Sequence, residues 1–235
     1  MLGVIAALPA EAHSLAGQRV IPKQLIRLGD RTLIYVAGIG EACALSAAAG
    51  LLAQGAKALV SWGTAGALEK TLVPGDLILP MAVADLGGTL QVNRVWHRRL
   101  ATALGQHLPV YTGTLLRSTE IIATTGQKAE LCHKTGAVAV DMESAAIGQA
   151  AHRAGVPFLI IRAIVDPQSM SIPTWAVQAA DEYGKIGLWD LLSGLRARPV
   201  ELASLLRLAW NFHAALTSLR TVARLTGPKL CYDSI

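Results

Sequence analysis

Apolar residues in this chain fall mostly in short unbroken runs, with little strict alternation. Leu2–Leu8, Ala58–Trp62, Ala137–Val140 and Phe158–Ile164 are such runs. Runs of this length, bounded by turn residues, predict fully buried strands. Lys23–Leu28 and Thr32–Ala37 flank Gly29-Asp30 and predict a hairpin. Pro74-Gly75-Asp76 predicts a turn into a strand over Leu77–Ala84, and Val110–Leu116 reads as a further strand. Between these runs lie helical segments: Glu41–Gln54, almost pure Ala, Leu and Ser; Arg94–Gln106, amphipathic; Gly126–Lys134; and Ser144–Arg153, small and apolar. Thr174–Leu195 predicts a long helix that carries Gly184, Gly187 and Gly194. Pro199 breaks the chain, and Val200–Leu225 predicts one more helix. Strands alternating with helices imply a single layered α/β domain around a mostly parallel central sheet, which the hairpin makes mixed. The expected division is a domain over 1–195 and a C-terminal helical extension over 196–235.

Composition sharpens this picture. Over 235 residues, 52% are hydrophobic and 16% charged, which implies a large buried core. The net charge of +5 is unevenly placed. From Gly194 onward Arg196, Arg198, Arg207, Arg220, Arg224 and Lys229 stand against Glu201 and Asp233, so +4 of it sits in the tail. A nucleic-acid-binding face spread over the domain is therefore not expected. Cys43, Cys132 and Cys231 are odd in number and lack metal-ligand spacing, as in reduced thiols of a cytoplasmic protein. No metal and no cofactor is expected. The apolar N-terminus has no basic stretch before it and reads as a first strand, not as a signal peptide. No run is long enough for a transmembrane span.

Candidate chemistry centres on Asp141, Met142 and Glu143, where a buried strand hands over to a helix. Ligands of open α/β sheets bind at the carboxyl ends of strands. A solvated helix start, where acids are favoured by the dipole, is the plainer alternative. Glu11 follows the first strand, and Asp166 ends the run from Phe158. Gly63-Thr64-Ala65-Gly66 follows Ala58–Trp62 and is expected to turn, either as a nest of backbone N–H groups for an anion or hydroxylated ligand, or with no ligand at all. Three carboxylates at three strand ends, with a glycine-rich turn at a fourth, converge on one sheet edge and predict a ligand site. Gly38-Ile-Gly40-Glu-Ala-Cys43 imitates a dinucleotide fingerprint. Its third position is Cys, and no acid ends a strand about 20 residues on, so it reads as a tight strand–helix turn.

Four segments resemble, in order and spacing, the nucleoside phosphorylase and nucleosidase superfamily. They are Ala37-Gly-Ile-Gly40, Ser61-Trp-Gly-Thr-Ala-Gly66, Val140-Asp-Met-Glu-Ser144 and Ile161-Arg-Ala-Ile-Val-Asp166. The likeness is greatest to methylthioadenosine/S-adenosylhomocysteine nucleosidases and hopanoid-associated phosphorylases. It implies one α/β domain with a mixed sheet, assembled as a homo-oligomer, that cleaves the N-glycosidic bond of an adenine nucleoside. By the same resemblance Asp166 is the general acid that protonates the base. Glu143 accepts hydrogen bonds from the ribose hydroxyls, and Met142 packs on the sugar. Gly63 and Thr64 line the nucleophile side. Glu11 orients or deprotonates an attacking water. Ile121 stands where an aromatic stacks on the purine, and Ile122 offers its backbone to the base. Ser61 replaces a phosphate-binding Arg of hexameric phosphorylases, and Val165 replaces a Ser before the acid. Phosphate is the first expected nucleophile and co-substrate, with adenosylhopane as the implied nucleoside; water is the alternative. A non-catalytic nucleotide-binding or membrane-associated module is the reading from another class.

In the last helix Leu202, Leu205, Leu206, Ala209, Phe212, His213, Leu216 and Leu219 form one stripe, with Arg207, Asn211 and Ser218 opposite. Three placements stay open for it. It packs on the core or another subunit, covers a lipid-linked nucleoside, or lies on an anionic membrane surface through 200–225.

Overall fold

The computed structural model describes residues 1–85, 87–179, 181–184 and 201–232. The strands are β1 (Leu2–Ala6), β2 (Leu25–Leu28), β3 (Thr32–Val36), β4 (Ala58–Ala67), β5 (Leu77–Ile78), β6 (Ala82–Asp85), β7 (Gly88–Gln91), β8 (Val110–Tyr111), β9 (Thr114–Arg117), β10 (Ala139–Asp141) and β11 (Phe158–Asp166). The helices are α1 (Pro9–Ala16), α2 (Glu41–Ala53), α3 (Arg94–Gly105), α4 (Thr125–Thr135), α5 (Ser144–Arg153), α6 (Thr174–Ala179) and α7 (Leu202–Thr226).

All these strands join one sheet, whose main path runs β2-β3-β1-β4-β10-β9-β6-β7. The pairs β1–β3, β1–β4, β4–β11, β9–β10, β6–β9 and β5–β8 are parallel. The pairs β2–β3, β4–β10, β5–β11 and β6–β7 are antiparallel. The sheet is thus mixed and mostly parallel, with helices around it. β4 is its hub, pairing with β1 and β11 and, near its end, with β10.

The expected hairpin forms, with Leu28 opposite Thr32 and Gly29 at φ +57° in the loop. Other boundaries differ for local reasons. The expected strand 77–84 splits around Pro80, which has no N–H to give a ladder. The expected strand 110–116 splits at Gly113, whose φ of +141° is open to glycine. The helix expected over Thr174–Leu195 does not continue through 181–184: Gly184 N–H turns back to the Asp181 carbonyl at 2.9 Å. Residues 185–195 of that expectation lie outside the described residues, as does the expected boundary at 195.

α7 shares the main core. Ala215, Leu216, Leu219 and Val222 are buried in the cluster that holds β1, β4 and β11. Its inward face follows the stripe expected from hydropathy only in part: Leu216 and Leu219 are buried, but polar residues expected on the opposite side also turn inward. Asn211 is buried and donates to Met170 Sδ at 3.4 Å, and Ser218 donates to the Gly75 carbonyl at 2.6 Å. Leu202 and Leu206 are exposed. Polar side chains with partners can be buried, and Ala214 brings the helix close to the chain at Gly75. No described helix is long and apolar enough to cross a membrane.

Candidate active site

Glu11 owes its position to the start of α1. Pro9 sits in the first turn, where its missing N–H costs nothing. Glu11 Oε2 reaches back to accept the Leu8 N–H at 3.0 Å. Its Oε1 accepts the N–H of Thr64 at 2.7 Å and the Thr64 hydroxyl at 2.8 Å. Burial pushes this carboxyl group above its usual range, against the pull of Arg162 and these hydrogen bonds.

Glu143 stands at the head of α5, straight after β10. Glu143 does not cap that helix with its side chain; Asp141 accepts the Ser144 N–H there at 3.2 Å, but both acids are buried, so the helix start is not the solvated one of the plainer alternative. Glu143 Oε1 accepts the Gly40 N–H at 2.8 Å, at the head of α2. Burial, and then the neighbouring Asp141 charge, push it up to about 7.

Asp141 anchors the polar cluster beside Glu143. It pairs with the buried Arg162 guanidinium at 2.6 Å and accepts the Ser144 hydroxyl. Arg162 also donates to Ser61 at 2.6 Å and to Ser144 at 3.0 Å. Ser61 is therefore an internal partner of Arg162. Burial weakens the Arg162 cation, but Asp141, Glu11 and Glu143 together hold it above its ordinary range.

Asp166 ends β11, next to Gly66 of β4. Lys128 Nζ lies 2.7 Å from its Oδ2. Burial pushes Asp166 upward, and the Lys128 charge opposes that.

The segment Gly63-Thr64-Ala65-Gly66 is not a turn. It continues β4 to Ala67, so neither form of the expected turn, with or without a nest, is present. The glycines serve close approach. A Cβ on Gly63 would come 2.7 Å from Glu11 Oε1, and one on Gly66 would come 3.0 Å from Asp166 Oδ2. Each glycine accommodates one carboxylate against the strand.

These groups meet at a cavity of about 680 Å³. Of the residues expected from the sequence, Glu11, Thr64, Ile121, Ile122, Met142, Glu143 and Asp166 line it. Gly63 lies behind Glu11 and outside the lining. α7 adds Leu205, Leu208, Ala209 and Phe212 to the wall. Sequence reasoning missed Lys128, the sole buried side chain of α4. Its spacing from Leu131 and Cys132, three and four residues on, was the available signal. Among the described residues no cluster of His, Cys, Asp and Glu could hold a metal ion.

Comparison with known proteins fits this arrangement. The profile of the Phosphorylase superfamily matches residues 2–186. The 5'-methylthioadenosine/S-adenosylhomocysteine nucleosidase of Buchnera aphidicola is 27% identical over 200 residues, covering 72% of this chain and 79% of that protein. The nucleosidase of the same name from Neisseria meningitidis, solved in complex with methylthio-immucillin-A, superposes with a TM-score of 0.71 at 19% identity, over 96% of this chain and 97% of that one. The futalosine hydrolase of Helicobacter pylori gives 0.71 at 15% identity, over 95% of each chain. At these identities the two structures establish the fold alone. The match over residues 2–186 settles the family: the chain belongs to the phosphorylase superfamily.

Proposed function

We propose that the protein cleaves the N-glycosidic bond of an adenine nucleoside and releases adenine. One observation carries this reading: three buried carboxylates with raised proton affinity open on one cavity whose other walls are largely apolar. Protonated Asp166 gives its proton to the purine as the C1′–N9 bond breaks and the electron pair passes to the base. Glu143, ionised, accepts the ribose hydroxyls and offsets the positive charge that grows on the sugar. Glu11 takes a proton from the attacking water, whose oxygen bonds to C1′.

Water is preferred here to the phosphate expected first from the resemblance. Among the described residues the charged side chains that line the cavity are Glu11, Glu120, Asp141, Glu143 and Asp166, all carboxylates. A phosphate anion would enter against them, whereas water suits Glu11. The relatives named above are hydrolases by name, which supports the same choice.

The apolar wall from α7 supports an apolar 5′ substituent. It also favours a second reading of the substrate, a lipid-linked nucleoside such as the adenosylhopane that the resemblance implies. Assembly as a homo-oligomer and contact with a membrane surface belong to this wider reading, and sizing and vesicle sedimentation test them.

The central experiment measures adenine release from methylthioadenosine, S-adenosylhomocysteine and an adenosine with a long 5′ alkyl chain, each with and without phosphate. Release independent of phosphate is expected, and Asp166→Asn should bind but lose about 10²–10⁴-fold in turnover. Release that requires phosphate makes the enzyme a phosphorylase. Tight binding with no release from any of the three leaves a non-catalytic module.

A further inference from the structure

Lys128 has no role in the reaction as written above, yet its geometry is specific. It lies on α4 and is fully buried, at 0% exposure. Its ammonium makes three contacts: Asp166 Oδ2 at 2.7 Å, the Met170 carbonyl at 2.8 Å and the Pro167 carbonyl at 3.1 Å. These three acceptors use its three donors. A charge is costly to bury unless it is paired in this way. Both carbonyls belong to the turn that leaves β11, so one side chain grips the acid and the chain after it. On the other side Asp166 rests against Gly66, which has no side chain to steer it.

We infer that Lys128 is the positioning residue of the Asp166 acid, holding Oδ2 so that Oδ1 faces the ligand and stabilising the carboxylate that remains once the proton has left. The inference rests on the nucleoside-cleavage reading. The balance is simple. The proton goes from Asp166 to the purine, the C1′–N9 pair goes with the base, and the new carboxylate charge stays beside the ammonium. A buried acid with no cation would hold its proton too firmly to give it up. Among the described residues Lys128 is the charged side chain acting on Asp166. From β4 the neighbour is Gly66, which is uncharged, while Glu11 and Glu143 act on Arg162. Arg162, on the same strand as Asp166, turns to Asp141.

The competing role is purely structural: the lysine would only tie α4 to the turn through the two carbonyls. Two variants separate the roles. Lys128→Gln keeps N–H donors for the carbonyls and removes the charge. Lys128→Arg keeps the charge and changes its shape. Two substrates are used: an adenine nucleoside, which needs the acid, and 4-nitrophenyl riboside, whose nitrophenolate leaves unaided.

For Lys128→Gln, turnover of the adenine nucleoside should fall about 10–100-fold with KM nearly unchanged. The alkaline limb of its pH profile should move to higher pH, because the acid then keeps its proton longer. Nitrophenyl riboside turnover should fall far less. Lys128→Arg should hold the limb near its wild-type place while lowering turnover. Equal losses on both substrates with an unmoved limb would overturn the inference and leave a structural lysine. If Lys128→Gln does not fold, a displaced limb in Lys128→Arg, the variant that keeps the charge, overturns it equally. A wild-type protein that cleaves neither substrate sinks the cleavage reading, and this inference with it; active wild type with an unmoved limb in Lys128→Gln sinks the inference alone.

Discussion

Gly66 shows how a single missing β-carbon shapes the site. A Cβ there would stand 3.0 and 3.1 Å from the two Asp166 oxygens, and that carboxylate cannot give way because Lys128 holds its far side. Gly66→Ala should therefore cost tenfold or more in turnover, as about a displaced acid would, while circular dichroism shows an intact fold. Turnover at the wild-type level would mean that the carboxylate has slack. Glu143 makes a prediction about pH. Its pKa in the fold is about 7, above the ordinary 4.5, so it takes up a proton on folding within that window. Its contribution to stability is complete below the ordinary value and is lost as pH rises through about 7. The melting temperature of the ligand-free protein should fall across that range, and Glu143→Gln should flatten the fall. An identical slope in the variant would contradict the burial argument. Glu11, Glu143 and Asp166 were legible as candidates because each follows an apolar run. The fate of the charge around them was not. Lys128 lies in a polar helical stretch and Arg162 inside an apolar run, and only the fold reveals that each lies beside a buried carboxylate.

At the scale of elements, α7 divides by function along its length. Leu219 is fully buried in the core, whereas Phe212 lines the cavity. Leu219→Ala should cost about 2–5 kcal/mol of stability, as cavity-forming changes do, and should leave KM alone in whatever protein stays folded. Phe212→Ala should do the reverse, with a small change in melting temperature and a raised KM for nucleosides bearing an apolar 5′ group. Denaturant melts and kinetics on both variants check this, and parallel effects would refute the division. The helix was legible in the sequence, and so was part of its inward face, through Leu216 and Leu219. Hydropathy ranks leucines first, while the buried line also takes in Asn211 and Ala215, whose value lies in satisfied hydrogen bonding and small size. β4 taught a similar lesson. Two glycines in four residues read as a turn, yet here they keep a strand extended beside two acids.

On the scale of the whole molecule, the alternation of runs and helices was enough to foresee a mixed, mostly parallel sheet, because buried parallel strands leave an unmistakable apolar trace. Which strand would be central was not foreseeable, since β4 earns that place through partners distant in sequence. The cavity was foreseeable on its carboxylate side, whereas for α7 core packing and covering a substrate were separate alternatives, and the helix both packs on the core and lines the cavity. Because one helix is both core element and cavity wall, its two ends should breathe differently. Amide hydrogen exchange should be slow over 215–222 and faster over 202–212, where the outward side chains include Leu206 and Trp210. A bound nucleoside analogue with an alkyl chain should slow the second region selectively. Its departure would then be paced by the fraying of one helix end, so the residence time of a lipid-like ligand would track local opening and not the strength of its contacts with the carboxylates.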